Sequence, residues 1–206
     1  MPEQAIAGAI LAGGRSRRMG GTPKALLELD RRTMLEHVLE RFAPQVGRIV
    51  LSVERPAPEW ARFGLVQVGD PVPGFHGPLA GLCAALEAIE NDADWLALAP
   101  CDAPFLPREL VQRLSAHEPA TDAVVVRLDG ILQPTFSLWR CRLAEDLRHA
   151  VLEAHMGGFR QFLKGIHWTA LDWPTGDGAA FLNINDPDSL AAARRRIAGQ
   201  RETKPC

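Results

Sequence analysis

The chain has 206 residues, 47% of them hydrophobic, and a formal net charge of −2. That length and apolar content suit one α/β domain with a substantial core, while the near-neutral balance gives no global basic field for nucleic acid and no apolar stretch approaches the ~18 uninterrupted residues of a membrane span. Cys83, Cys101, Cys141 and Cys206 form no C-x-x-C pair, and the start Met1-Pro2-Glu3-Gln4 carries no signal-type n-region, so a reduced, cytoplasmic protein without a disulfide framework or zinc knuckle is expected.

Ala5 to Leu11 is an apolar run that reads as a buried first strand. Gly13 and Gly14 then remove side chains where the strand ends, and Arg15, Arg17, Arg18 and Lys24 bring positive charge to the same loop. A glycine turn after strand one, rich in N–H donors and cations, is suited to holding phosphates. Neither the P-loop spacing nor the dinucleotide fingerprint fits, because Gly13 and Gly14 are adjacent and no Gly-Lys-Ser/Thr follows.

Thr33 to Pro44 reads as a helix, with Leu35, Val38, Leu39 and Phe42 on one face and Thr33 with Glu36 as a capping box. Arg48 to Val53 and Leu65 to Val68 read as strands. The turn-rich stretch from Gly69 to His76 leads to Gly77-Pro78, which opens a helix over Leu79 to Glu90. Trp95 to Ala99 is a buried strand stopped by Pro100. Pro107 to His117 reads as a helix with Pro in its first turn. Asp129-Gly130 joins two strand patterns, Ala123 to Leu128 and Ile131 to Trp139, into a hairpin. Helices are expected over Arg142 to His155 and Phe159 to Leu163, and a strand over Trp168 to Trp173. Asp186 as N-cap and Pro187 at the first position start the last helix. The segments 1–4 and about 199–206 are expected to fray. Alternating strands and helices predict a single Rossmann-like three-layer α/β/α domain spanning 1–206, with a mostly parallel sheet and a mixed or antiparallel second half.

In such sheets ligands sit outside the carboxyl ends of the strands. The Gly13-Gly14 loop, Ser52, Asp70 and Asp102 all fall at such ends. Pro100-Cys101-Asp102-Ala103-Pro104 denies the backbone further pairing and fixes Asp102 at a strand tip. A rigid carboxylate there, beside a triphosphate, is what Mg²⁺ requires. No Ser-His-Asp or Cys-His set presents itself. His37, His117, His149 and His155 fall on helical patterns, His76 lies in the loop before Gly77, and Cys101 is expected to pack into the sheet.

Leu11 to Lys24 resembles the signature L-A-G-G-x-S-x-R-M-G-x-x-K/x-K of the nucleotidyltransferases, which move a nucleoside monophosphate from a triphosphate onto a phosphate acceptor. The Pro-Cys-Asp-x-Pro segment, Gly77-Pro78-Leu79-Ala80-Gly81-Leu82 and the closing Asn183-Ile184-Asn185-Asp186-Pro187 extend that resemblance from about Ala9 to Leu190. In this order they are similar to the molybdenum cofactor guanylyltransferase family, whose fold is of the nucleotide-diphospho-sugar transferase type. The resemblance implies transfer of GMP from GTP to molybdopterin with Mg²⁺. It implies backbone contacts to the guanine and ribose from Leu11, Ala12 and Gly13. Gly14, Ser52, Asp70, Pro78 and Leu79 would complete the GTP site. Lys24 would neutralise the phosphates, Asp102 would hold Mg²⁺, and Arg18 would hold the attacking phosphate. Asn183 and Asn185 would lie on the molybdopterin side, as would Gln133-Pro134-Thr135, Gly157-Gly158-Phe159 and Arg160. Where the family commonly has asparagine this chain has Ser52, which lacks the amide's paired donor and acceptor. A monomer is expected, with cofactor-biosynthesis and acceptor proteins as further partners and neither nucleic acid nor membrane. A cytidylyltransferase for the same pterin, another small-molecule nucleotidyltransferase and a non-catalytic GTP-binding protein remain open.

Overall fold

The computed structural model describes residues 6–13, 23–72, 77–116 and 120–202. In chain order the elements are β1 (Ile6–Leu11), β2 (Glu28–Leu29), β3 (Arg32–Thr33), α1 (Met34–Phe42), β4 (Ile49–Val53), β5 (Val66–Gly69), α2 (Pro78–Ile89), β6 (Trp95–Pro100), α3 (Leu110–Ser115), β7 (Ala123–Leu128), β8 (Ile131–Arg140), α4 (Ala144–Leu152), α5 (Phe159–Leu163), β9 (Trp168–Trp173) and α6 (Pro187–Glu202). Seven strands form one sheet in the order β5-β4-β1-β6-β8-β7-β9. β5, β4, β1 and β6 are parallel neighbours, β8 pairs antiparallel with both β6 and β7, and β7 pairs parallel with β9. The Asp129-Gly130 hairpin therefore inserts β8 against the common direction, with Asp129 (φ 49°) and Gly130 (φ 77°) turning through left-handed backbone. β2 and β3 pair as a separate small ribbon turned at Asp30 and Arg31, again both at positive φ.

Apolar clusters cover the sheet on both faces. One face packs α2, α4 and α5 through Leu79, Leu82, Leu86, Leu147, Val151 and Phe159. The other packs α1 and α3 through Leu35, Val38, Phe42, Leu110 and Leu114. The result is the three-layer arrangement the alternating pattern predicts. Leu79, Leu82 and Leu86 of α2 are fully buried, each contributing roughly 1.5–3 kcal/mol. That helix approaches the sheet closely because Gly81 has no Cβ: one built there would fall 2.6 Å from Ser52 Oγ. A third, smaller cluster seats Ile184 and Ala193 against Leu29, Met34 and Phe105. No described helix is long and apolar enough to cross a membrane.

The capping box is present: Thr33 Oγ1 accepts from Glu36 N–H, and Glu36 Oε2 accepts from Thr33 N–H at 2.6 Å. That backbone hydrogen bond, foremost, holds the Glu36 carboxyl below its ordinary range. At α6 the Asp186 carboxylate accepts from Ser189 N–H at 2.7 Å, as an N-cap does. Two helix boundaries differ from expectation by a full three residues. α3 begins at Leu110 rather than Pro107, because Gln45 ties the entry: its amide donates to Pro107 O and accepts from Val111 N–H. α4 ends at Leu152 rather than His155, where the chain reverses through a left-handed residue (φ 52°) and Met156 N–H closes on Ala150 O.

Candidate active site

The carboxyl ends of β1 and β6 open onto a cleft of roughly 220 Å³ lined by Leu11, Ala12, Gly13, Lys24, Pro78, Pro100, Cys101, Asp102, Thr135, Asn183 and Asn185. Its floor is set by backbone. Ala12 and Gly13 both donate to Ser52 O, at 2.7 and 3.1 Å, and Cys101 N–H donates to Leu11 O at 3.0 Å. A Cβ on Gly13 would meet Glu54 N at 3.1 Å, so a glycine lets the first loop lie against the end of β4. Those two N–H groups are thus engaged with β4 instead of pointing bare at an anion.

Asp102 lies two residues beyond the end of β6, and its side chain is 15% exposed. Burial pushes its carboxyl above the ordinary carboxylate range, and the neighbouring Lys24 ammonium pulls it back. Lys24 Nζ lies 3.2 Å from Asp102 Oδ2 and also donates to Asn185 Oδ1. The ammonium therefore stands between a carboxylate and an amide oxygen. Cys101 is buried in the second core cluster, and burial raises its thiol strongly, so it is inert as a nucleophile.

The closing segment reaches this point through one buried residue. Ile184 is fully buried, and its N–H donates to Asp102 O at 2.8 Å. Residues of extended backbone alternate sides, so seating Ile184 leaves Asn183 and Asn185 at the cleft. Asn183 Oδ1 is buried without a hydrogen-bond partner among the described residues, an acceptor held ready for a donor or a cation. With Asp102 and Asn185 it makes an all-oxygen set, the chemistry hard divalent cations select. Among the described residues no three His, Cys, Asp or Glu side chains gather into a preformed cage. One or two carboxylates with substrate phosphate oxygens and water is how Mg²⁺ is commonly held.

Of the expected site residues, Leu11, Ala12, Gly13, Lys24, Pro78, Asp102, Asn183 and Asn185 come together at the cleft. Gly14 and Arg18 lie outside the described residues, as do Arg15, Arg17, His76 and His117. Ser52 is buried, with its hydroxyl toward α2 at Gly81 and its carbonyl holding the first loop. Asp70 is half-buried after β5, beyond the cleft lining. Leu79 is fully buried, and its N–H is engaged with Gly157 O at 3.4 Å. Arg160 is exposed on α5. His37 is structural, its Nε2 lying 2.6 Å from Leu29 O.

Residues 8–171 match the MobA-like NTP transferase domain. The chain belongs to this family. It is 39% identical over 191 residues to the molybdenum cofactor guanylyltransferase of Rhodopseudomonas palustris (strain BisB5), covering 90% of this chain and 91% of that one. It is 40% identical over 195 residues to a protein of the same name from Shewanella sp. (strain MR-4), covering 93% and 94% of the two chains. In fold it is similar to the crystal structure of molybdopterin-guanine dinucleotide biosynthesis protein A from Archaeoglobus fulgidus, with a TM-score of 0.77, 23% identity, and 94% and 99% of the chains covered.

Proposed function

We propose that this chain transfers GMP from GTP to the terminal phosphate of molybdopterin, forming molybdopterin guanine dinucleotide and releasing pyrophosphate in a Mg²⁺-dependent reaction. The observation that carries this reading is the Lys24–Asp102–Asn185 group at the centre of the cleft, taken with relatives named for that activity. A phosphate oxygen of the acceptor attacks the α-phosphorus of GTP, the bond from that phosphorus to the bridging β-phosphate oxygen breaks, and pyrophosphate leaves. The acceptor phosphate is already anionic at neutral pH, so no protein nucleophile is required; alignment and charge neutralisation do the catalysis.

Asp102, Asn185 and Asn183 would hold the metal. Bound there, Mg²⁺ would supply neutralisation of charge on the phosphates. Lys24 then turns its ammonium to the phosphates and the leaving pyrophosphate. Leu11 to Gly13 and Pro78 form the nucleotide side; Asn183, Asn185 and Thr135 form the acceptor side. Gly14, Ser52, Asp70 and Leu79 belong to the nucleotide site in this reading, with Ser52 acting through the loop its carbonyl holds. Arg18 would meet the attacking phosphate. The reading extends to a cytoplasmic, single-domain monomer.

Pyrophosphate release by the purified protein, with molybdopterin and Mg²⁺ and with GTP and CTP run side by side, tests it. Release with GTP alone is expected. Release with CTP alone would move the chain to cytidylyl transfer, and release with neither would refute the reading.

A further inference from the structure

β8 reaches the cleft through an irregularity. Val125 pairs with Ser137, yet the next pair is Val126 with Gln133, so Pro134, Thr135 and Phe136 bulge from the β7–β8 ladder. Phe136 drops into the core, fully buried and edge-on to Phe181 at 4.9 Å. Thr135 is left at the cleft wall. Phe181 precedes the segment that carries Asn183 and Asn185, so the bulge and that segment share one aromatic contact.

Ser137 closes the bulge. Its Oγ donates to Pro134 O at 2.6 Å and accepts from Trp139 Nε1–H at 2.6 Å. Both Ser137 and Trp139 are fully buried, and Trp139 stacks on Phe159 at 5.8 Å. The hydroxyl thus passes one hydrogen bond on from a rigid indole to a carbonyl outside the β7–β8 ladder.

The side of the cleft follows from strand order. β1, β6 and β8 are successive neighbours, roughly 4.8 Å apart. The nucleotide loop follows β1, Asp102 lies two residues beyond β6, and Thr135 belongs to β8. With the α-phosphate over Asp102, Thr135 stands on the side away from the nucleotide loop. Resting on the proposed function, we propose that Ser137 is a positioning residue for the acceptor: it clamps the bulge that presents Thr135 to the phosphate of the incoming pterin.

The test is steady-state kinetics on wild type, Thr135→Val, Ser137→Ala and the double variant, varying molybdopterin and GTP separately with Mg²⁺ present. Thr135→Val should raise the acceptor KM about 3- to 10-fold, the value of one hydrogen bond, with the GTP KM unchanged. Ser137→Ala should raise the acceptor KM in the same range and leave the GTP KM alone. The double variant should be no worse than the more impaired single variant, because both substitutions disable one device. Should Ser137→Ala fail to fold, Ser137→Cys, which keeps a weak donor and acceptor, carries the same comparison. Additive effects, or a Ser137 variant that melts lower with an unchanged acceptor KM, would overturn the inference. A wild type that turns over no molybdopterin would instead overturn the function on which it rests.

Discussion

Replacing Lys24 by methionine keeps the length of the side chain and removes its charge. Two unit charges at the observed 3.2 Å attract by about 5 kcal/mol at an effective dielectric of 20. Lys24 and Asp102 are 23% and 15% exposed, so the ammonium's own desolvation cost, which methionine escapes, offsets part of this. A charge-assisted hydrogen bond nets about 2 kcal/mol, and for a chain of this length that is a fall of about 4–8 °C in Tm. The loss must depend on pH. Burial raises the Asp102 carboxyl above its unfolded value and Lys24 counteracts the rise. A group with a raised folded pKa contributes stability that is present below its unfolded pKa and lost as pH rises through its folded pKa. Without Lys24 that loss deepens. The Tm gap between wild type and Lys24→Met should therefore be widest near neutral pH. It should close on acidification, beginning above the usual carboxylate range. Melting curves of the two proteins from pH 4 to pH 8 measure it. A gap that is constant with pH, or a variant more stable at pH 7, would show that the ion pair does not act as described.

Because the Lys24 ammonium stands between Asp102 and Asn185, the nucleotide-free Lys24→Met protein should bind Mn²⁺ more tightly than wild type; weaker binding by spin-resonance titration would remove that oxygen pair from the cation site. Asp102→Asn should keep the fold and cut pyrophosphate release by at least about 100-fold, the scale of losing one electrostatic element of a transition-state site; normal turnover with a normal melting curve would refute the metal assignment. Gly77 has φ 85°, and a Cβ there would collide with Gly157 O. Gly77→Ala should thus cost about 2–4 kcal/mol from backbone strain and overpacking together, read as a lower denaturant midpoint, and an unchanged midpoint would show that α2 can shift at its start.

Much of the fold was legible because each element carries a local signal. The Thr33–Glu36 box, the Asp129-Gly130 turn and the Asp186-Pro187 start all act within a few residues, and all are found where the pattern puts them. Boundaries failed where a distant residue intervened. Gln45 resets the start of α3 across more than sixty residues, which no local pattern records. Part of the site was legible for the same reason: Gly13, Lys24 and Asp102 sit in motifs whose backbone demands can be read in place. The bulge left a signal in Pro134, since proline inside a strand marks an irregularity; the family resemblance put Thr135 on the acceptor side, and the Ser137 hydroxyl that closes the bulge left no signal of its own.

The amino-acid sequence by itself determined the alternating elements, the strand-tip location of the candidate site and the family. These rest on periodicity and on residues whose local conformational limits are fixed by their own chemistry. Tertiary structure decided which strand lies next to which, and hence that β8 enters beside β6 and brings Thr135 to the cleft. It decided that burying Ile184 carries Asn185 to Lys24, and that the Ser52 hydroxyl packs toward the helix at Gly81. Each of these outcomes depends on packing between segments far apart in the chain, where the determining quantity is the shape of the shared interior and not the identity of neighbouring residues.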